Sequence, residues 1–317
     1  YTATGRVAGL RVAALPAPVP APGGRAAAAA AAALEAVPGR PGVSGATVDF
    51  NVSQEGGQAS VKIAKGALDL PGIVEDAKLQ LDQFSTEAKW KVAGQKIEVQ
   101  LRDLKFANAD AQGQAQVRWQ TDDRVSGTPT AGSSSDRRFP GILDLQGSLS
   151  RGDGSRVHRY LPLVLGADVR HYVRDAVVKG QVSDVKFKVK GPVDDLPFTD
   201  AAQGDFQVSA KVRNGQFVYV PKSLQPPGAA PWPALTELNG ELVFDRASLE
   251  VKGASGKVAG LPGLHLVKGD ARIADLMHDA TVEVTTDIKG PLSEALGFVN
   301  TSPLGDIKKK VLAQTTA

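Results

Sequence analysis

The sequence predicts a mainly β protein of antiparallel sheet with one helical block set into it. Three observations predict this. Apolar and polar residues alternate with period two over a dozen short runs, the mark of half-buried strands. Turn signals between runs pair apolar residue with apolar residue. One central stretch, residues 157–179, switches to the 3.6-residue period of a helix.

The alternating runs fall at residues 47–52, 59–63, 78–81, 89–92, 96–101 and 116–119, then at 185–189, 206–212, 217–220, 242–244, 249–251 and 281–285. Two hairpins take a register from sequence. Asn214-Gly215 favours a two-residue hairpin turn. With that turn Val212 faces Phe217 and Ala210 faces Tyr219, so Phe206, Val208, Ala210, Val212, Phe217 and Tyr219 share one face. Lys211, Arg213 and Gln216 take the other, with Val218 and Val220 as exceptions. Asp245-Arg246-Ala247-Ser248 turns a second hairpin, pairing Phe244 with Leu249 and Leu242 with Val251, while Glu250 and Lys252 face away. One apolar and one polar side is the pattern of antiparallel sheet.

Three segments interrupt the strands. Residues 16–42 hold Pro-Ala repeats and eight consecutive alanines and read as a surface insertion. Residues 121–138 and 221–233 are rich in turn formers and read as loops. In the helical block, Val169, Tyr172, Val173, Ala176 and Val177 form one apolar stripe, with Asp168 as N-cap and Gly180 just past the end. A second short helix is expected at 292–299, stopped by Asn300 and Pro303. The organisation is therefore 1–44, a partial strand plus the Ala/Pro insertion; 45–150, sheet; 151–181, the helical block; 182–304, sheet; and 305–317, a tail. Because the chain starts at Tyr1, already inside a strand-like pattern, it reads as a fragment of a longer protein.

Composition excludes several functions. The formal charge over 317 residues is +3, and basic residues are scattered, as at Lys186, Lys188 and Lys190, so no nucleic-acid partner is expected. Without cysteine there is no disulfide framework and no Cys-based metal site. No stretch approaches the apolar length of a membrane span. His158, His171, His265 and His278 lack zinc-motif spacing. Gly253-Ala254-Ser255-Gly256-Lys257 lacks phosphate-loop spacing, with Val258 in place of the hydroxyl, and reads as a connection between strands. Arg151-Gly152-Asp153 reads as a turn, and no G-x-S-x-G elbow occurs. Asp122-Asp123 and Asp194-Asp195 read as solvated turn residues, since paired carboxylates catalyse only where a pocket drives their pKa values apart. No catalytic residue, metal or cofactor is expected, and the chain does not read as an enzyme.

A series of phrases in fixed order carries a family resemblance. They begin with Val99-Gln100-Leu101-Arg102-Asp103-Leu104-Lys105-Phe106-Ala107-Asn108-Ala109-Asp110 and Leu143-Asp144-Leu145-Gln146-Gly147. Arg159-Tyr160-Leu161-Pro162 and Val169-Arg170-His171-Tyr172-Val173-Arg174-Asp175-Ala176 follow, then Lys190-Gly191-Pro192-Val193-Asp194-Asp195-Leu196-Pro197-Phe198. Gly204-Asp205-Phe206, Trp232-Pro233-Ala234-Leu235 and Thr301-Ser302-Pro303-Leu304 close the series. From about Trp90 to Leu304 the chain resembles the YhdP family of AsmA-like envelope proteins of Gram-negative bacteria. It departs from the pattern in the alanine-rich insertion and the Ser-rich loop, where insertions do little harm.

The resemblance implies a periplasmic segment of an inner-membrane-anchored protein, its curved, elongated antiparallel sheets forming a β-taco-like groove with short accessory helices. It implies phospholipid acyl chains as partners and a track between inner and outer membrane. The expected lining is Phe206, Val208, Val212, Phe217 and Tyr219, then Val185, Phe187, Val189, Leu242, Phe244, Leu249 and Val251. Two alternatives stay open: these faces pack on each other as a closed sandwich core, or the chain is an envelope scaffold binding protein strands at its sheet edges. The helical block is expected to press Tyr160, Leu161, Val169, Tyr172 and Val173 onto the sheet edge or across the groove mouth, limiting unwanted strand pairing.

Overall fold

The computed structural model describes residues 1–16, 39–122 and 141–305. Its strands are β1 (Thr2–Val12), β2 (Gly42–Ser53), β3 (Gly56–Asp69), β4 (Lys78–Ala93), β5 (Lys96–Ala107), β6 (Ala111–Gln120), β7 (Ile142–Asp153), β8 (Val177–Pro192), β9 (Asp205–Phe217), β10 (Leu235–Asp245), β11 (Ser248–Val258), β12 (Leu261–Asp275) and β13 (Asp279–Lys289). All thirteen form one sheet, each strand paired with the next in sequence, and every pair is antiparallel. β1 and β13 do not pair, so the sheet is open. The segments 45–150 and 182–304 are parts of this one sheet, and no second sheet packs on it among the described residues. The closed sandwich is thereby set aside.

The hairpin at Asp245-Ser248 pairs Phe244 with Leu249 and Leu242 with Val251, as the sequence predicts. The one at Asn214-Gly215 does not exist. β9 runs straight through it: Val212 pairs with Gly240 and Gly215 with Leu238 across a register break. Asn214, at φ 50°, is the extra residue of a bulge. The same left-handed conformation serves a hairpin turn or a bulge, and only the partner strand decides between them. Left-handed residues mark comparable register breaks at Gly9, Gly45, Asp103, Asp184, Glu237 and Gly253. Each bulge shifts the parity of its strand, so residues three apart share a face. Two short motifs are corrected by the same ladder. Arg151-Gly152-Asp153 is the end of β7 rather than a turn, with Gly152 opposite Ala111 and Val182. Gly253 to Lys257 lies inside β11 rather than between strands.

With the bulges counted, the residues of one face stay register partners of one another from strand to strand. One face carries Ala, Val, Leu, Ile, Phe, Trp and Gly; among its register-paired positions Thr86 and Thr286 are the polar ones short of the Asp275–Asp279 turn. No second sheet layers over this face among the described residues, yet Ile63 (3% exposed), Leu81 (6%) and Val185 (6%) are buried on it. A flat single layer would expose both faces alike, so the sheet curls toward its apolar side. The curl is tightest where Ala46, Ile63 and Leu81 pack with Leu10, Val43, Val48, Val61, Leu68 and Phe84. It relaxes at the free edge, where Val282, Val284 and Ile288 of β13 are 56%, 62% and 53% exposed.

The helical block is shorter than expected. Gly154–Tyr160 and Leu163–Leu165 are 3-10 turns, and the helix proper, α1, spans Gly166–Ala176. Val177 and Val178 are β-branched and open β8 instead. The Ala176 carbonyl accepts from the Val218 amide at 2.8 Å, which turns the helix end into sheet. Leu165, not Asp168, is the N-cap, and Gly180 lies inside β8. The second helix, α2 (Leu292–Thr301), runs past Asn300 and stops before Pro303. The expected insertion at 16–42 and loop at 121–138 lie mostly outside the described residues.

Candidate functional site

The apolar face forms a trough whose long axis crosses the strands. Ala115, Gly147, Phe187, Val208, Phe244, Leu249, Ile273 and Val282 are successive register partners from β6 to β13. Seven steps of about 4.8 Å make an unbroken apolar rail of about 34 Å. Ala210, Leu242, Val251, Ala271 and Val284 make a second rail, and Leu145, Val189 and Phe206 continue a third from Leu101 and Val117.

These rails bring together most of the residues singled out from sequence. Phe187, Val208, Phe244 and Leu249 share the first, Leu242 and Val251 the second, Val189 and Phe206 the third. Val212 sits between Val182 and Gly240, Val185 opposite Leu149, and Phe217 between Val177 and Leu235. Tyr219 lies past the end of β9, stacked at a tilt on Trp232 with ring centroids 5.6 Å apart. Sequence reasoning did not single out the lining from β1 to β6, including Val48, Val61, Phe84, Leu101, Phe106 and Trp119. Those residues follow the same alternation and could have been found by it.

The opposite face is charged. Lys211 pairs with Asp184 at 3.0 Å, Lys252 with Glu250 at 2.9 Å and Lys188 with Asp205 at 2.7 Å. Hydrogen bonds from these lysines hold all three carboxyls below their ordinary range.

The helical block joins β7 to β8, mid-sheet, so it covers neither side edge. It is fastened along the strand ends. Pro162 bridges to Val74, and the Leu163 amide donates to the Ile73 carbonyl at 2.9 Å, both in the β3–β4 turn. Arg170, 5% exposed, donates to Glu75 at 3.3 Å and to the Leu163 carbonyl at 2.9 Å. Burial opposes the Glu75 charge, but hydrogen bonds from Arg170 and His171 outweigh it and hold the carboxyl below its ordinary value. Arg159 Nε donates to Asp76 at 2.7 Å. Asp110, in the β5–β6 turn, accepts from Tyr160 Oη at 2.9 Å and also from Arg159, while Asn108 Nδ2 donates to Tyr160 Oη at 2.9 Å. Tyr172 Oη donates to the Tyr219 carbonyl at 3.2 Å. Burial raises both tyrosines above their ordinary pKa. Leu161 and Val173 are partly buried. Val169 is 50% exposed; the buried helix positions are Arg170 and Ala176. An arginine inside the buried face is what the apolar stripe could not reveal.

At the other strand ends Asp122 comes near Asp194 and Asp195. Burial, then the charges of Asp195 and Asp122, raise the Asp194 carboxyl. Among the described residues no group of three or more His, Cys, Asp or Glu is placed to hold a metal ion, and no helix is long and apolar enough to cross a membrane. The histidines stand apart: His171 faces Glu75, His278 faces Asp275, His158 contacts the Ser155 carbonyl, and His265 pairs with Lys257 and Lys289 in the ladder.

The family model described as YhdP protein matches residues 14–317. No curated protein and no solved structure matches the chain.

Proposed function

The chain belongs to the YhdP family, and from that premise we propose that its sheet is a periplasmic trough along which phospholipid acyl chains move between the inner and outer membranes. One observation carries this reading: an apolar face spanning thirteen strands with no second sheet over it among the described residues. Each buried CH₂ gains about 0.8 kcal/mol without requiring a fixed geometry. A chain sliding from one strand to the next exchanges one aliphatic surface for another, so its energy changes little along the rails. Headgroups stay in water. The mechanism needs no covalent step and no cofactor, and the inner-membrane anchor belongs to the parent protein.

A photo-crosslinking residue at Phe244 or Phe217 is expected to capture phospholipid, and one at Lys211 or Lys252 is not. Equal capture from both faces would sink the one-faced trough. A second reading, strand acceptance at a sheet edge, is favoured by the edge of β13, which pairs with no further strand among the described residues, and by its exposed valines. In that case a peptide strand, rather than lipid, crosslinks at Val284.

A further inference from the structure

Three glycines on the trough floor are not explained by backbone conformation. Gly5, Gly57 and Gly147 sit inside β1, β3 and β7, and none has a left-handed φ. A mid-strand glycine costs stability relative to a residue with a side chain. Each is the register partner of an inner-face aromatic: Gly5 of Phe50, Gly57 of Trp90, Gly147 of Phe187. The rings lean across onto them. A Cβ on Gly5 would meet the Phe50 ring tip at 2.9 Å, one on Gly57 would meet Trp90 at 2.7 Å, and one on Gly147 would overlap the Phe187 ring. Opposed Cα atoms are about 4.5–5.5 Å apart, so upright rings would leave that space empty. At Gly57 and Gly147 the carbonyls of Asn51 and Gln114 also crowd the site; at Gly5 the three nearest atoms all belong to the Phe50 ring.

We propose that these glycine–ring pairs set the clearance of the trough and select thin, unbranched hydrocarbon chains over bulkier apolar groups. The inference rests on the lipid reading above. A ring laid over glycine spends its bulk sideways, and a hydrocarbon chain rests on its face at about 3.5–4.0 Å. A methyl group on the glycine lifts the ring into the space the chain occupies. The pairs lie on β1–β2, β3–β4 and β7–β8, so clearance is controlled at separate points along the trough.

The test incubates the purified protein with vesicles holding equal amounts of two phospholipids, one with unbranched acyl chains and one with a pyrene-bearing chain. Bound lipid is then weighed by mass spectrometry. The protein is expected to favour the unbranched lipid by about tenfold or more, the scale of a misfit in an apolar pocket. Gly5→Ala lowers capture of both lipids, and Phe50→Leu added to it restores capture. Phe50→Leu or Phe187→Leu alone weakens the preference, and the two variants cover each other should one fail to fold. Equal capture of both lipids by the unaltered protein overturns the clearance proposal and leaves the lipid reading standing, as does an unchanged preference in both leucine variants. Capture of neither lipid overturns both.

Discussion

The Thr86 hydroxyl donates to the Arg102 carbonyl at 3.0 Å. Arg102 precedes Asp103, the left-handed residue where β5 breaks register with β6. Thr286 repeats the arrangement, donating to the Lys268 carbonyl at 3.2 Å beside a register break in β12. These two polar side chains of the apolar face thus spend their hydroxyls on backbone carbonyls, and neither is left for a ligand. Thr86→Val should cost about 0.5–1.5 kcal/mol, because it removes the hydrogen bond from a buried threonine to the carbonyl of the exposed Arg102 while keeping the side-chain shape. Urea denaturation measures the loss, and Thr86→Ser should recover most of it. Lipid capture should not fall in either variant, since no ligand contact is removed.

The block-to-turn fastening should be sensitive to Glu75. In Glu75→Gln the buried Arg170 loses its anion, at a cost of about 1–2 kcal/mol, kept low because Glu75 is itself half exposed. The pH dependence has a definite sign. The folded carboxyl lies below its ordinary 4.5, so the stabilisation is complete above that value and is lost as pH falls through the folded pKa. Melting curves should therefore separate the two proteins at pH 7 and bring them together on acidification.

Asp194 should behave oppositely. Its folded pKa is raised above 3.8 by burial and by Asp195 and Asp122, so the native protein loses stability as pH rises through the carboxylate range. Asp194→Asn is expected to melt higher than the unaltered protein at pH 7, with the advantage vanishing well below pH 3.8. A variant that melts lower at pH 7 would contradict this.

The bulge in β9 can be tested at one position. Asn214 holds φ 50°, where a β-branched residue pays about 1–2 kcal/mol. Asn214→Gly should be nearly neutral and Asn214→Val destabilising, read from denaturation midpoints. Were Asn214 an ordinary extended residue, valine would be the better tolerated of the two.

Charge placed on either side of one strand should separate the faces. Phe244 lies on the first rail, and its neighbour Val243 pairs with Ser209 and Glu250 on the polar face. Phe244→Lys is expected to abolish co-purified lipid while circular dichroism stays sheet-like. Val243→Lys should leave lipid unchanged.

Much of this was legible in the residues. The pairing of Phe244 with Leu249 followed from a turn and alternation alone, and so did the placing of Lys211 and Lys252 opposite the lining. The Asn214-Gly215 hairpin was misread because a left-handed dipeptide fits a turn and a bulge equally well, and the deciding partner, Leu238, lies 23 residues beyond Gly215. The apolar stripe points to Val169, which is 50% exposed, and does not reveal that Arg170, paired with Glu75 from 95 positions away, takes a buried position.

By itself the sequence determined that the protein is antiparallel sheet with one oily and one wet face, because alternation is local and written in consecutive residues. It also determined the family, through phrases such as Asn108-Ala109-Asp110 and Arg159-Tyr160-Leu161-Pro162. Only the tertiary structure decided that those two phrases meet in one hydrogen-bond network, that all the strands join in a single open sheet, and that rings lie over glycines on the first, third and seventh strands. Such facts depend on bulges that change parity and on partners far apart in the chain, and neither leaves a signal in any short stretch of sequence.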